Sequence, residues 1–431
     1  MRKRILWIHL LISALLTLIL AACGSTNPAT TKPGPLVAPA GERLYIIDGS
    51  ISSTHVYTSQ RIVAFHPGVK AQPVVLPAGL YSLDYKNIYT ATPQNGQTTI
   101  TVTNAQTGVK THSFTIPGNY TTSGDAFTTS VLSADGRWLA LRQQGETNAQ
   151  STIVLIDTQE GKLAKTIQLP GDYDLDAISP DGKKVFVLEQ IDQAGHYHVR
   201  LFEVSENQLV EGYITDKVAP KENMYGAALT RQMASDGTIA YTLYTNPAQN
   251  KAFVHILPLA SDIYIARCID LPVGKSSDLL RYYTLALSAD GTTLYAVNSA
   301  LGVITSISLN GDQVFNDNII ATSHFDPGNV TTSDKSLGLY NGAALSLDQK
   351  TLFFVGVHGI WAANTTDLKV KRNYATQQAF TGIALSSSGQ TLYAVSPTQG
   401  ITLVNIASGQ SQQVTQSPAH TPWGIAWIAT N

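Results

Sequence analysis

One short phrase returns along most of the chain and limits what the sequence can fold into. It reads Leu132-Ser133-Ala134-Asp135-Gly136, Ile178-Ser179-Pro180-Asp181-Gly182 and Leu287-Ser288-Ala289-Asp290-Gly291, with looser copies at Ala234–Gly237, Leu345–Gln349, Leu385–Gly389 and Tyr81–Tyr85. Asp bonds its own backbone in a tight turn and Gly accepts a positive φ, so each copy predicts the turn of a β-hairpin. With the Gly position as ruler, the copies fall at 41, 85, 136, 182, 237, 291, 349 and 389. Four places on stands an aromatic residue: Tyr45, Tyr89, Phe186, Tyr241, Tyr295, Phe353 and Tyr393. The copy at Gly136 instead has Ala140, with Trp138 close by. The intervals run from 40 residues (349 to 389) to 58 (291 to 349).

Each interval has room for two more strands. Thr98–Thr103, Thr152–Ile156 and Ile401–Val404 read as third strands, ending in turns such as Asn104–Gly108, Asp157–Gly161 and Asn405–Gly409. Fourth strands leave through Leu76-Pro77, Ile116-Pro117, Leu169-Pro170 and Leu271-Pro272. Pro suits a strand end because it donates no ladder hydrogen bond. Four short strands at this period are the blades of a β-propeller. The ends agree. Gly41 opens a second strand with no inner strand before it, while Gly424-Ile425-Ala426-Trp427 matches the inner strand Gly382-Ile383-Ala384-Leu385 and has no turn after it. The expected fold is therefore all-β, a single propeller over residues 41–431, its ring closed by N- and C-terminal strands sharing one blade. The count is eight blades. Seven is the alternative if the stretch around Ala219–Gly274 is one long irregular blade.

The pattern S-x-D-G-x-x-L-Y-V resembles the YVTN-type propeller repeat and, more loosely, quinoprotein-like and lactonase-like propellers. The resemblance covers nearly all of residues 41–431 and implies a fold rather than an activity, since such rings carry many functions. The Gly-Gly of kelch repeats, the repeated Trp-Asp of WD repeats and the aspartate box of sialidases are missing. Quinone-dependent relatives carry a docking Trp in most blades. Here only Trp138, Trp361, Trp423 and Trp427 follow the first 22 residues, which argues against a bound quinone.

The N-terminus reads as an export signal. Met1-Arg2-Lys3-Arg4 is positive, and an apolar stretch runs from Ile5 to Ala22. That stretch is just long enough to span a bilayer as a plain anchor, but Leu20-Ala21-Ala22-Cys23 resembles the lipobox of bacterial lipoproteins. The resemblance implies cleavage of residues 1–22 and a diacylglycerol on the Cys23 thiol, which would hold the protein at the outer face of the cell membrane. Residues 23–40, rich in Ser, Thr, Pro and Gly, cannot bury enough apolar surface to fold. They form a tether with a reach of about 50 Å at roughly 3.1 Å per residue. Charged residues make up 13% of the chain and the formal net charge is −2, without a basic block, so nucleic acid is not an expected partner. With Cys23 lipidated, Cys268 has no disulfide partner and reads as a buried, inert thiol in a strand. The protein is expected to be monomeric.

Three groups are candidates for chemistry. Phe127, Tyr173, Tyr282, Tyr340 and Phe380 each stand six residues before the repeated Ser, and Tyr225 and Trp423 occupy nearly the same place ahead of an inner strand, shifted by one. These positions lie where the chain enters an inner strand, so the rings would form an aromatic rim at one channel mouth or pack as wedges between blades. Asp172, Asp174 and Asp176 alternate on a strand, which puts three carboxylates on one face. Such a set would suit Ca²⁺, the one cofactor considered. His196 and His198 share a strand face as well, and read as a solvated hairpin tip. The repeated Asp residues are accounted for by turn chemistry. No nucleophile elbow, HExxH or P-loop occurs. The expected function is a binding or scaffolding module for a protein, peptide or carbohydrate. The alternative is a lactonase-like hydrolase working in the central channel, for which no catalytic residues are named.

Overall fold

The computed structural model describes residues 36–430, apart from 37, 52–56, 70–71, 123–128, 146–148, 194, 222, 310–319, 331–337 and 416. The signal, Cys23, most of the tether and Phe127 lie outside the described residues. The rest is almost wholly β-structure, in eight sheets arranged as a ring. Numbered from the N-terminus, blade two spans residues 80–117, three 130–170, four 173–209, five 227–270, six 283–324, seven 343–374 and eight 382–413. Blade one is shared by the two ends of the chain. Its strands run in the order Val74–Pro77, Tyr57–Phe65, Glu42–Ile51 and, innermost, Pro422–Thr430. Leu44 lies opposite Ile428 and Tyr45 opposite Trp427. The eight-blade count therefore holds, as does closure through the terminal strands.

The repeated phrase forms the turn between the first and second strands. Ser133 Oγ donates to Asp135 Oδ1 at 2.6 Å, and the same carboxylate accepts the Arg137 N–H at 3.0 Å. Ser133 Oγ in turn accepts the Trp138 N–H at 2.9 Å. The pattern repeats at Ser288/Asp290 and Ser346/Asp348. Hydrogen bonds from those two serines hold the Asp290 and Asp348 carboxyls below the usual range. The Gly position needs a left-handed backbone even where it is not Gly: φ is 56° at Tyr85 and 59° at Gln349.

The aromatic residues four places on are all buried. They fill the wedges between blades, and the hydrophobic clusters accordingly draw on neighbouring blades. Val131, Ala140 and Leu155 of blade three pack with Tyr173, Leu175 and Val187 of blade four. Burying one such side chain contributes about 1.5–3 kcal/mol, so the ring is held by packing rather than by covalent links. Polar locks secure the closing blade. Glu42, 1% exposed, accepts hydrogen bonds from Ser387 Oγ and the Tyr393 hydroxyl, both at 2.6 Å. Asp48 accepts the His420 and Thr421 N–H groups at 3.0 and 2.7 Å and pairs with Arg61.

The ring departs from its repeat between blades four and five. Residues 210–226 form a strap that pairs with both. Thr215–Asp216 adds a parallel strand outside Ile265–Asp270 of blade five. Met224–Tyr225 pairs antiparallel with His196 and Tyr197 of blade four. The end of the strap falls in Ala219–Gly274, the stretch that left seven blades as an alternative; most of that stretch is the regular blade five.

Candidate functional site

The predicted aromatic rim divides. Tyr173, Tyr282 and Phe380 are 3%, 1% and 2% exposed and belong to wedge packing. Tyr282 and Phe380 share a cluster with Phe353 and Tyr374. The Tyr173 hydroxyl donates to Glu189 at 2.8 Å, and burial pushes its pKa up to about 12. Tyr340 and Trp423 are half-buried and meet at the channel, their ring centroids 5.4 Å apart. Tyr225 is drawn away by the strap and lies 4.8 Å from the His196 ring. The six described rings thus do not line one opening, because wedge burial takes three of them and the strap another.

The channel holds a feature that spacing did not reveal. Tyr81 is on the inner strand of blade two, and Tyr340 precedes the inner strand of blade seven. Their hydroxyls are 2.6 Å apart. Tyr340 lies against Gly424 of the innermost strand of blade one, where an added Cβ would come within 2.4 Å of its ring. Asn341, at φ 49°, donates to the Ile425 carbonyl at 3.1 Å. Tyr81 also packs on Trp427, which stacks between Tyr45 and Tyr85 with centroids at 4.1 and 5.1 Å. A tyrosine pair from blades three apart in the ring therefore bridges part of the channel. Burial, with Tyr340 beside it, raises the Tyr81 pKa well above the ordinary phenol value.

The carboxylates of Asp172, Asp174 and Asp176 do not converge. Asp172 and Asp174 both grip Arg142, the former at 2.7 Å. Burial raises the Asp174 pKa against the pull of that guanidinium. Asp176 is the extra residue of a β-bulge between Leu175 and Ala177, which breaks the alternation expected to align all three. Its carboxylate, 2% exposed, pairs with Arg231 of blade five. Arg231 Nη1 also donates to the Asp176 carbonyl at 2.6 Å, and its Nε donates to Thr242 Oγ1 at 2.7 Å. Guanidinium groups thus engage all three carboxylates. Among the described residues no three His, Cys, Asp or Glu side chains cluster as metal ligands.

Beneath the strap, between blades four and five, lies a cleft enclosing about 70 Å³. Blade five supplies one wall. Arg231, Thr242, His255 and Cys268 are successive cross-strand partners, so their side chains form a polar row on one face, of which His255 and Cys268 line the cleft. His255 is 1% exposed, and its Nδ1 has no hydrogen-bond partner. Burial pushes its pKa down to about 4, with the nearby Asp176 opposing the shift. Blade four supplies Tyr197, and the strap supplies Tyr213, Asp216, Asn223 and Tyr225. The Tyr213 ring stacks on His198 at 4.0 Å and 2°. His198 Nε2 lies 3.0 Å from Asn223 Oδ1. His198 is 19% exposed, so the strap covers what read as a hairpin tip. Cys268 is half-buried rather than buried; it faces the cleft, and its N–H donates to Asp216 at 2.9 Å.

The sequence reading missed Tyr81, Tyr213, Asn223, Arg231 and His255. Only His255 had a local signal, as the one polar residue in the run Ala252–Leu257.

No family model and no curated protein matches the chain. Among solved structures, the dihydro-heme d1 dehydrogenase NirN in complex with DHE superposes with a TM-score of 0.50 at 13% identity, covering 94% of this chain and 78% of that one. The periplasmic gluconolactonase PpgL of Pseudomonas aeruginosa gives 0.40 at 17% identity, covering 80% and 99%. TolB from Acinetobacter baumannii gives 0.36 at 15%, covering 63% and 62%. At these identities the likeness concerns fold, and what it supports is the architecture already described: a β-propeller, here of eight blades.

Proposed function

We propose that the chain is an extracytoplasmic binding module, anchored by a lipid on Cys23, that captures its ligand in the cleft beneath the strap rather than in the central channel. One observation carries this reading. The cleft is where unpartnered and half-exposed polar and aromatic groups converge, whereas part of the channel is bridged by Tyr81 and Tyr340. Concave sites with aromatic walls and a few placed polar groups are the usual form of a ligand pocket. The carboxylates with the strongest claim to chemistry are spent on Arg142 and Arg231, which favours binding over hydrolysis. The Ser-, Thr-, Pro- and Gly-rich residues 23–40 would serve as the tether between that lipid and the ring.

Two measurements test the two halves of this reading. Cys23→Ala should move the protein from the membrane fraction to the soluble fraction; retention in the membrane would contradict the anchor. A thermal-shift screen of peptides and sugars on the full chain should yield a ligand whose stabilisation disappears in Tyr213→Ala. A ligand whose effect survives that change but disappears in Tyr340→Ala would place the site in the channel.

A further inference from the structure

His255 is the least explained residue of the cleft. Its imidazole is buried, and Nδ1 has no protein partner. A buried polar atom left unpaired is costly and in most proteins is satisfied by protein, water or ligand. The depressed pKa keeps the ring neutral near pH 7, so one of its nitrogens donates and the other accepts. A hydroxyl can do either and pairs with Nδ1 in both tautomers.

The other walls narrow the ligand further. Tyr213, 38% exposed, and Tyr225 offer aromatic faces, whose negative quadrupole attracts the slightly positive C–H face of a saturated ring. Asn223 and Gln249 bring planar amides, which both donate and accept. Charge is balanced. Lys251 and Asp270 bring one charge of each sign to the cleft, and Asp216, which accepts the N–H groups of Cys268 and Ala219, has the Arg267 guanidinium 4.0 Å away to offset its charge. A site with apolar faces, hydroxyl-matching groups and no excess charge selects a neutral polyol ring over an anion, a cation or a purely apolar group.

We infer that the cleft between blades four and five is a carbohydrate subsite that takes one neutral pyranose ring, stacked against the strap tyrosines with a hydroxyl directed at Nδ1 of His255. This rests on the binding-module reading and gives it a ligand class. For a ring of this size the dissociation constant is on the order of 1 mM.

The test is saturation-transfer NMR on the full chain in detergent. The probes are the methyl α-pyranosides of glucose, mannose and galactose, with N-acetylglucosamine, and the tripeptides Gly-Tyr-Gly and Gly-Leu-Gly serve as non-sugar probes. At least one sugar should give saturable transfer near millimolar concentration and shift the ¹⁵N resonances of the His255 ring. Tyr213→Ala, at an exposed position that leaves the core intact, should weaken binding at least ten-fold. His255→Gln should weaken it as well, with circular dichroism confirming the fold. Saturable binding of a tripeptide with every sugar silent would overturn the carbohydrate assignment and leave the binding-module reading standing. Sugar binding unchanged in both variants would overturn the location. Silence from both panels would overturn the assignment and count against the binding reading as well.

Discussion

Asp176 and Arg231 show how one residue can do something its sequence neighbours do not prepare it for. Alternation groups Asp176 with Asp172 and Asp174, but the bulge turns it out of register and toward the next blade. There it forms an ion pair with both side chains nearly buried, at 2% and 10% exposure. Removing one partner strands the other charge, which typically costs about 3–5 kcal/mol. Asp176→Ala should therefore lower the denaturation midpoint sharply, and Asp176→Ala/Arg231→Met should recover part of the loss. Equal midpoints for the single and double variants would mean that the pair does not bind the two blades together. His255 carries a pH signature. Its folded pKa, about 4, lies below the ordinary imidazole value of 6.5, so the unfolded chain binds the proton more readily. The sign follows from that: the His255 contribution is whole above pH 6.5 and is lost as pH falls from 6.5 toward 4, by up to about 3 kcal/mol. Urea midpoints measured between pH 7 and pH 4.5 should fall less steeply in His255→Gln than in the wild type. Parallel slopes would contradict a neutral, buried imidazole.

At the scale of elements, much was legible because it is local chemistry repeated. Ser-x-Asp-Gly describes its own turn, so the blades and the closing strands could be read from the sequence, with eight blades expected and seven as the alternative. The Gly position also has a second task that the sequence does not display. At Gly182, φ is 72° and an added Cβ would come within 2.4 Å of the Trp138 ring of the preceding blade. At Gly291, φ is 70° and nothing lies within 4 Å. Gly291→Ala should thus cost only backbone strain, about 1–2 kcal/mol. Gly182→Ala should cost a further ~1–3 kcal/mol because the wedge must shift. Equilibrium unfolding of the two variants separates the terms, and equal losses would show that the turn, not the wedge, sets the requirement. The site was much less legible. The strap at residues 210–226 belongs to no repeat, so periodicity says nothing about it. Arg231 and Asp176 meet across blades, 55 residues apart, with no spacing rule to link them. Likewise, the position before the inner strand marked Tyr173, Tyr225 and Tyr340 as equivalent. The fold then buried the first in a wedge, moved the second to the cleft and placed the third in the channel.

At the scale of the whole molecule, the repeat builds a ring whose axis would be the default place for a ligand. The departures from the repeat point elsewhere. Tyr81 and Tyr340 bridge the channel, while the strap opens a cleft on the flank between blades four and five. Hydrogen–deuterium exchange of the full chain, with and without a saturating sugar from the panel above, distinguishes these places in one experiment. The account predicts slowed exchange in residues 196–199, 213–225 and 251–256, with no change around Tyr81, Tyr340 and Trp423. Protection confined to those channel residues, with the strap unchanged, would contradict it.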